Sequence, residues 1–296
     1  MSFSSEAKTA LAREIPERPC CRLAMLAGMV RFAPVKDGDV LFRTEARDVA
    51  DAWERLLSRV AGISVFTHTV SGIYKTRLSI GAIREHAPQI FSEKGIKDLF
   101  VCESCGAAFF RGAFLCSGFV NPPEKPARLE LAALDADLAC DAAAALTSHF
   151  RLPKLSVRRG KQILYYRDAE SVEYFLSYIG ANKAAFDIIN AQMFKEKRSE
   201  INRKANFEIA NLTKTVSAAA TYTEAIRALI KSGDFEKLSP ELRHTAKLRL
   251  ENDTATLAEL AALEEPPVSK SQISKRLQKI YAYYEEQQGK KRKGEL

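Results

Sequence analysis

The chain has 296 residues, 46% hydrophobic and 28% charged, with a formal net charge of +8. That apolar share supports a sizeable core and excludes a disordered chain, and the apolar run Leu23–Val30 is far short of the roughly 20 residues a membrane-spanning helix needs. Glu6, Glu14 and Glu17 without an apolar stretch exclude a secretory leader, and six irregularly spaced cysteines exclude a disulfide scaffold, so a cytoplasmic protein with reduced thiols is expected.

Taken in chain order, the sequence repeats itself at an offset of about 90 residues. CCRLAMLAGMVRF around Gly28 and RGAFLCSGFVNPP around Gly118 are both small-residue helices that end near a Gly and lead into an extended stretch. Strand-like alternation follows in Asp39–Ala46 and in Ala127–Ala133, then helical patterns in Arg47–Val60 and Asp137–Phe150. Two β-rich runs close each half, Ile63–Val70 with Gly72–Ile80 and Lys154–Arg159 with Gln162–Arg167, and a last helix opens near Glu170 in the second. The unit predicts helix, two strands, helix, two strands, helix. Two such units would cross their small-residue helices and build one sheet each. Trp53, on the apolar face of the middle helix, is expected in the core.

This pattern resembles the single-chain, two-repeat LAGLIDADG homing endonuclease fold. Phe110–Gly118 aligns with the nine-residue family motif, with Gly112 and Gly118 at its glycines. Cys20–Gly28 aligns less well, Arg22 standing at the first Gly. In the nucleases, the acid before the last Gly of each motif holds a divalent metal that activates water. The alignment places Ala27 and Ser117 there, and neither offers the hard anionic oxygen that Mg²⁺ prefers. No enzymatic activity is expected. Glu17, Asp98 and Glu103 lie upstream of the motif helices rather than at their ends.

From Asn182 to about Ile230 there is no Pro, and a helix is predicted. Ile201, Ala205, Ile209, Leu212, Val216 and Ala219 make one apolar stripe, while Asn202, Arg203, Asn206, Thr213 and Lys214 occupy the opposite arc. Asn202, Asn206 and Asn211 are poor helix formers. Their cost needs an offset, either hydrogen bonds to a neighbouring domain or contacts with phosphates and base edges, since Asn can read adenine bidentately.

Beyond it, Ser239-Pro240 opens a helix over Glu241–Glu251, and the capping box Thr256-x-x-Glu259 opens a short one through Leu263. After Glu264-Glu265-Pro266-Pro267, a second box, Ser269-x-x-Gln272, opens a longer helix whose buried stripe is Ile273, Leu277, Ile280 and Tyr284. Its other side carries Ser271, Ser274, Lys275, Gln278 and Lys279. A short helix, a turn and a longer helix with a basic face is the form of a helix-turn-helix.

Charge agrees with that placement. Residues 1–150 balance at zero, 151–215 carry +6, 216–267 carry −3 and 268–296 carry +5, including the tail Lys290, Lys291, Arg292 and Lys293. Clustered positive charge is the footprint of a polyanion binder, with double-stranded DNA the expected partner. Ser269, Lys270, Ser271, Gln272, Ser274, Lys275, Arg276 and Lys279 are the candidate DNA-contacting residues. Asn202, Arg203, Asn206, Asn211 and Lys214 are candidates for DNA or interdomain contacts.

A two-repeat LAGLIDADG-like scaffold without its acids, joined to a helix-turn-helix, resembles the WhiA family of bacterial sporulation and cell-division regulators. The resemblance rests on Cys20-Cys21-Arg22-Leu23, Arg111-Gly112-Ala113-Phe114-Leu115 and Asn202-Arg203-x-x-Asn206-x-Glu208-x-Ala210-Asn211-x-x-Lys214-Thr215. Leu242-Arg243, Leu248-Arg249-Leu250-Glu251, Leu257-x-Glu259-Leu260 and Ser269-Lys270-Ser271 add to it. It implies a sequence-specific DNA-binding transcription regulator acting at promoters, cytoplasmic and nucleoid-associated, with no cofactor and no membrane partner. It departs from the family after Ser271, where Gln272-Ile273-Ser274-Lys275 replaces the usual Gly-Val-Asn-His, so the resemblance implies DNA binding without specifying the operator sequence.

The expected fold class is α+β: a two-repeat LAGLIDADG-like domain over 1–195 (repeats about 20–100 and 111–190), a linking helix over 196–232 and an all-α helix-turn-helix domain over 233–296. Other readings are an interaction hub docking a sigma factor or co-regulator, and a residual Mg²⁺-dependent nuclease. Cys102-x-x-Cys105 lacks a second pair at zinc-site spacing among Cys20, Cys21, Cys116 and His149, so these are expected as core thiols and no metal site is expected. His68, His86, His149 and His244 are scattered without a nucleophile motif, and no Gly-rich phosphate loop occurs.

Overall fold

The computed structural model describes residues 2–92 and 95–294, with side chains as far as Gly289, so the basic run 290–293 lies outside the described side chains. It divides into two compact units, Met1–Glu196 and Lys197–Leu296.

In the first unit, α2 (Pro19–Phe32) and α5 (Glu103–Ser117) cross at the centre. Pro19 opens α2 at a position where a missing N–H costs nothing. Both helices are buried around most of their circumference, as their small and apolar composition dictates. Around them the two halves repeat one order. The first runs α2, β1 (Val35–Lys36), β2 (Asp39–Thr44), α3 (Arg47–Leu56) with a π turn to Ala61, β3 (His68–Val70), β4 (Ile73–Ser79) and α4 (Ile80–His86). The second runs α5, β5 (Gly118–Val120), β6 (Leu129–Ala133), α6 (Ala136–Thr147), β7 (Lys154–Arg158), β8 (Lys161–Tyr166) and α7 (Ala169–Tyr178).

Each half makes one antiparallel four-stranded sheet, in the order β1-β2-β4-β3 and β5-β6-β8-β7. Period-two patterning sets their inner faces. Val40 and Phe42 of β2, and Leu129, Leu131 and Ala133 of β6, are buried. Phe42 stacks on Trp53 of α3 at 4.7 Å between centroids, which places Trp53 in the core as expected. Asp37-Gly38, Ser71-Gly72 and Arg159-Gly160 join adjacent strands with both residues at positive φ, the two-residue turn whose twist matches paired strands.

Two expectations change. The N-terminal segment, not anticipated as structured, forms α1 (Phe3–Arg13), capped by Ser2 and burying Ala7, Leu11 and Ala12. The β-rich run Ile63–Val70 supplies only three strand residues, His68–Val70.

The long helix α8 (Asn182–Ser232) gives Ala184, Ala185 and Ile188 to the first core and Ile226 and Leu229 to the second. Its predicted apolar stripe is not a buried one. Ile201, Ile209, Leu212 and Val216 are exposed, and only Ala219 is covered. In the second unit, α9 (Pro240–Glu251), α10 (Leu257–Leu263) and α11 (Lys270–Gly294) pack with the end of α8 around Phe235, Leu238, Ala246, Leu260, Ile273, Leu277 and Ile280. Tyr284 is half-buried at the edge of that core.

The α2–α5 crossing is a backbone contact. A Cβ on Gly28 would lie 1.9 Å from Phe109 O, and one on Gly112 would lie 2.0 Å from Met25 O. Replacing Gly28 by Ala is expected to cost about 2–3 kcal/mol in denaturant unfolding, because rigid backbone must move apart. Gly81→Ala, whose Cβ would meet only Ser79 Oγ at 3.3 Å, serves as the control and should stay within about 1 kcal/mol. Equal stability of the two variants would show that the crossing is not tight.

Candidate nucleic-acid interface

The reciprocal glycine contacts set the register of the two repeats. Gly28 meets Phe109 and Ala113, and Gly112 meets Met25 and Met29, so residue n of the first half corresponds to n + 84 of the second. The first motif is therefore Leu26–Pro34 (LAGMVRFAP), equivalent to Phe110–Gly118, and the assignment of Ala27 to the acid position is corrected. Ala27 is fully buried mid-helix, whereas Ala33, which caps the end of α2, matches Ser117. Ala33, Pro34 and Ser117 line one cleft with Phe32, Leu41, Arg43, Cys116 and Lys161, and no carboxylate is among its described lining residues. Ser117 Oγ is already engaged, donating to Ala113 O (3.4 Å) and accepting from Ala132 N–H (3.2 Å). The cleft thus offers two cations and no anionic ligand for a divalent metal.

In the second unit both predicted capping boxes form. Thr256 N–H donates to Glu259 Oε2 (2.7 Å) and Glu259 N–H to Thr256 Oγ1 (3.3 Å), and the bond from Thr256 N–H holds the Glu259 carboxyl below its usual range. Ser269 N–H donates to Gln272 Oε1 (2.8 Å) and Gln272 N–H to Ser269 Oγ (3.2 Å). The Gln272 carbonyl is therefore spent on starting α11, which leaves only its amide NH₂ for a base edge. Buried Arg249 donates to Asn252 O (3.2 Å) and Ala255 O (2.8 Å), fixing the loop between α9 and α10.

The face of α11 opposite Ile273, Leu277 and Ile280 presents Lys270, Ser271, Lys275, Gln278 and Lys279 to solvent, with Ser274 half-buried. Arg276 has a different task. Its side chain is only 16% exposed, and its guanidinium pairs with Glu241 and with Glu264 Oε1 (3.0 Å) and lies 3.4 Å from Thr245 Oγ1. Glu264 is 5% exposed, accepts from Thr245 Oγ1 and has His244 Nε2 at 3.6 Å from its other oxygen. This knot joins α9, the turn and α11, so the assignment of Arg276 to the DNA-contacting set is corrected: it orients the helix that carries the others.

Asn202, Arg203, Asn206, Asn211 and Lys214 are all exposed along α8. One of them meets the helix-turn-helix residues directly: Lys214 lines a cleft with Lys270, Thr215, Tyr222 and Thr256. Three cations, Lys214, Lys270 and Arg249, and the start of α10 thus border one concavity.

The cysteines give the least expected result. Cys20 and Cys21 sit in the first turn of α2, and Cys102 and Cys105 at the start of α5, so the central crossing gathers all four. Their Sγ atoms lie within 4.8 Å of one another. The thiols are core or near-core as expected, but the expectation that Cys102 and Cys105 lack a second pair is corrected, because that pair lies some eighty residues upstream in adjacent positions. Hydrogen bonds from Cys21 and Cys105 pull the Cys102 thiol down to about 6, while burial pushes Cys21 and Cys105 up. Cys116 and Cys140 are not part of the cluster.

Among the described residues, no helix is long and apolar enough to cross a membrane. The model of the WhiA LAGLIDADG-like domain matches residues 106–198, and that of the WhiA C-terminal HTH domain matches residues 201–284. The probable cell division protein WhiA of Desulforamulus reducens is 34% identical over 95% of this chain and 94% of its own length. Its counterpart in Moorella thermoacetica is 33% identical over 99% and 95%. The crystal structure of full-length WhiA from Thermatoga maritima shares the fold with a TM-score of 0.61 at 20% identity, covering 97% of this chain and 99% of that one.

Arg276→Ala strands the buried Glu264 carboxylate and should lower the stability of the second unit by about 2–4 kcal/mol in denaturant unfolding. Lys275→Ala, one residue away and exposed, should change it by less than about 0.5 kcal/mol. A wild-type unfolding midpoint for Arg276→Ala would refute the orienting role.

Proposed function

The chain belongs to the WhiA family, and on that premise we propose that it is a DNA-binding transcription regulator without nuclease activity, acting at promoters of cell-division or sporulation genes. The observation that carries this reading is α11. Its apolar face is locked into a core and its capped start and basic face are left to solvent. In a major groove, the first turn of α11 would direct free backbone N–H groups and a positive dipole end at a phosphate. Lys270, Lys275 and Lys279 would neutralise neighbouring phosphates and release counterions, while Ser271, Ser274 and the Gln272 amide would reach base edges. Lys214, beside Lys270, extends the basic surface onto α8.

The residues of the motif cleft support the non-enzymatic part of this reading. Ala33 is a buried methyl and Ser117 a hydroxyl engaged within the fold, so the cleft supplies no carboxylate to position a metal-bound water. We place the protein with the nucleoid, since its ligand is chromosomal DNA.

Fluorescence anisotropy on promoter-length duplexes across a salt series tests this. Replacing Lys275 and Lys279 together by Ala should weaken binding roughly tenfold and reduce the slope of log K against log salt by about 1.8, close to 0.9 per lost phosphate contact. The duplex should emerge intact with or without Mg²⁺. Unchanged slope would move the binding face away from α11, and Mg²⁺-dependent cutting would overturn the non-enzymatic reading.

A further inference from the structure

We propose that Cys20, Cys21, Cys102 and Cys105 bind one Zn²⁺ as a tetrahedral tetrathiolate site that fastens the N-terminal ends of the two central helices. The distances specify a single ion. Thiolates about 2.3 Å from a tetrahedral zinc have sulfur–sulfur edges of about 3.8 Å. Here Cys20–Cys102, Cys21–Cys102, Cys21–Cys105 and Cys102–Cys105 are 3.8, 3.5, 3.9 and 3.5 Å, and every pair lies within 4.8 Å. Iron–sulfur clusters hold their cysteines around several metal atoms and so spread them much farther apart. Two disulfides would instead split the four sulfurs into two close pairs. Near-equal edges among four sulfurs match neither.

The surroundings suit a closed structural site. Cys21 and Cys105 are buried, and Cys20 and Cys102 are half-buried at the rim, so no position is left open for a substrate. Four thiolates around Zn²⁺ carry a net charge of −2, and the fold offsets it from three directions. The sulfurs lie at the starts of α2 and α5, where helix dipoles favour negative charge. The third is the Arg18 guanidinium beside Cys102, whose charged form the neighbouring thiols favour. Cys102 N–H also donates to Cys105 Sγ at 3.4 Å, an amide–sulfur bond that orients the ligand. Ligation replaces four S–H bonds by four Zn–S bonds and releases the four protons to water.

The site is not symmetric between the repeats. The 84-residue register pairs Cys21 with Cys105, but Cys20 with Ser104 and Arg18 with Cys102. Each half therefore supplies two ligands from different positions, and neither half could hold the ion alone. That makes the ion a bond between repeats, tying residues 20 and 21 to 102 and 105.

The test uses the untagged full chain purified under reducing conditions without chelator. Elemental analysis should give about one zinc per chain, and Co²⁺ exchange should produce the intense visible bands of a tetrahedral tetrathiolate. Cys102→Ser and Cys105→Ser should each lose most of the metal, whereas Cys116→Ser and Cys140→Ser keep it. Stripping the metal should lower the melting temperature by about 5 °C or more. If the serine variants fail to fold, the cobalt spectrum and reactivity of the wild-type thiols decide, because ligated sulfurs react slowly with a disulfide reagent until the metal is removed. A wild-type chain that takes up neither zinc nor cobalt, or that isolates with Cys20 or Cys21 in disulfide with Cys102 or Cys105, would overturn the proposal.

Discussion

Everything in the first unit hangs on two missing methyl groups. At Gly28 and Gly112 the backbones of α2 and α5 touch, each glycine against the other helix's carbonyl. No side chain fits there, and the fit is reciprocal, so it also fixes the axial register of the two helices. Once register is fixed, the ends follow: cysteines from both repeats converge at one end, and Ala33 and Ser117 border one cleft at the other. Twelve residues separate Cys21 from Ala33, about 18 Å of helix, so the two places are linked rigidly but do not touch.

A different constraint governs the second unit. The mutual angle of its helices depends on the polar knot of Arg276, Glu264, Glu241 and Thr245 as well as on the apolar core. A buried carboxylate is tolerable only with a cation and hydrogen bonds to satisfy it. The knot is therefore directional where apolar packing is not, and it binds the turn to α9 and α11. Lys270, Lys275 and Lys279 are displayed by that arrangement while taking no part in it.

Much of this was legible in the residues. The order of elements in both repeats, the shared sheet pattern, the two capping boxes and the stripe Ile273, Leu277, Ile280 all express local rules of period and cap that act over a few residues. What escaped depends on contacts between distant segments. In the first motif, Gly28 was paired with the last glycine of the second motif instead of its first, a slip of six residues that only the Gly28–Gly112 contact resolves. The cysteine cluster was invisible because its members come from two helix starts more than 80 residues apart, and only Cys21 and Cys105 occupy equivalent positions in the repeat. Arg276 could not be told from Lys275 by type, since burial against Glu264 is a property of the fold. On α8 the spacing of Ile201, Ile209 and Leu212 gives an apolar stripe that is exposed, since periodicity records only that a face exists and not that anything covers it.

The replaced acids have a physical logic of their own. In a cleft where both motif helices end, two carboxylates without a metal would repel each other at short range in a partly desolvated setting. Small uncharged groups there avoid that repulsion, and a methyl at Ala33 with a satisfied hydroxyl at Ser117 meets that requirement. The crossing itself needs no metal at that end, because glycine contact and apolar packing hold it. At the opposite end, four thiols crowded within 4.8 Å are a poor arrangement without an ion and a strong one with it. The same pair of helices is thus suited to a metal that holds the fold together, at the end away from the cleft that Ala33 and Ser117 border.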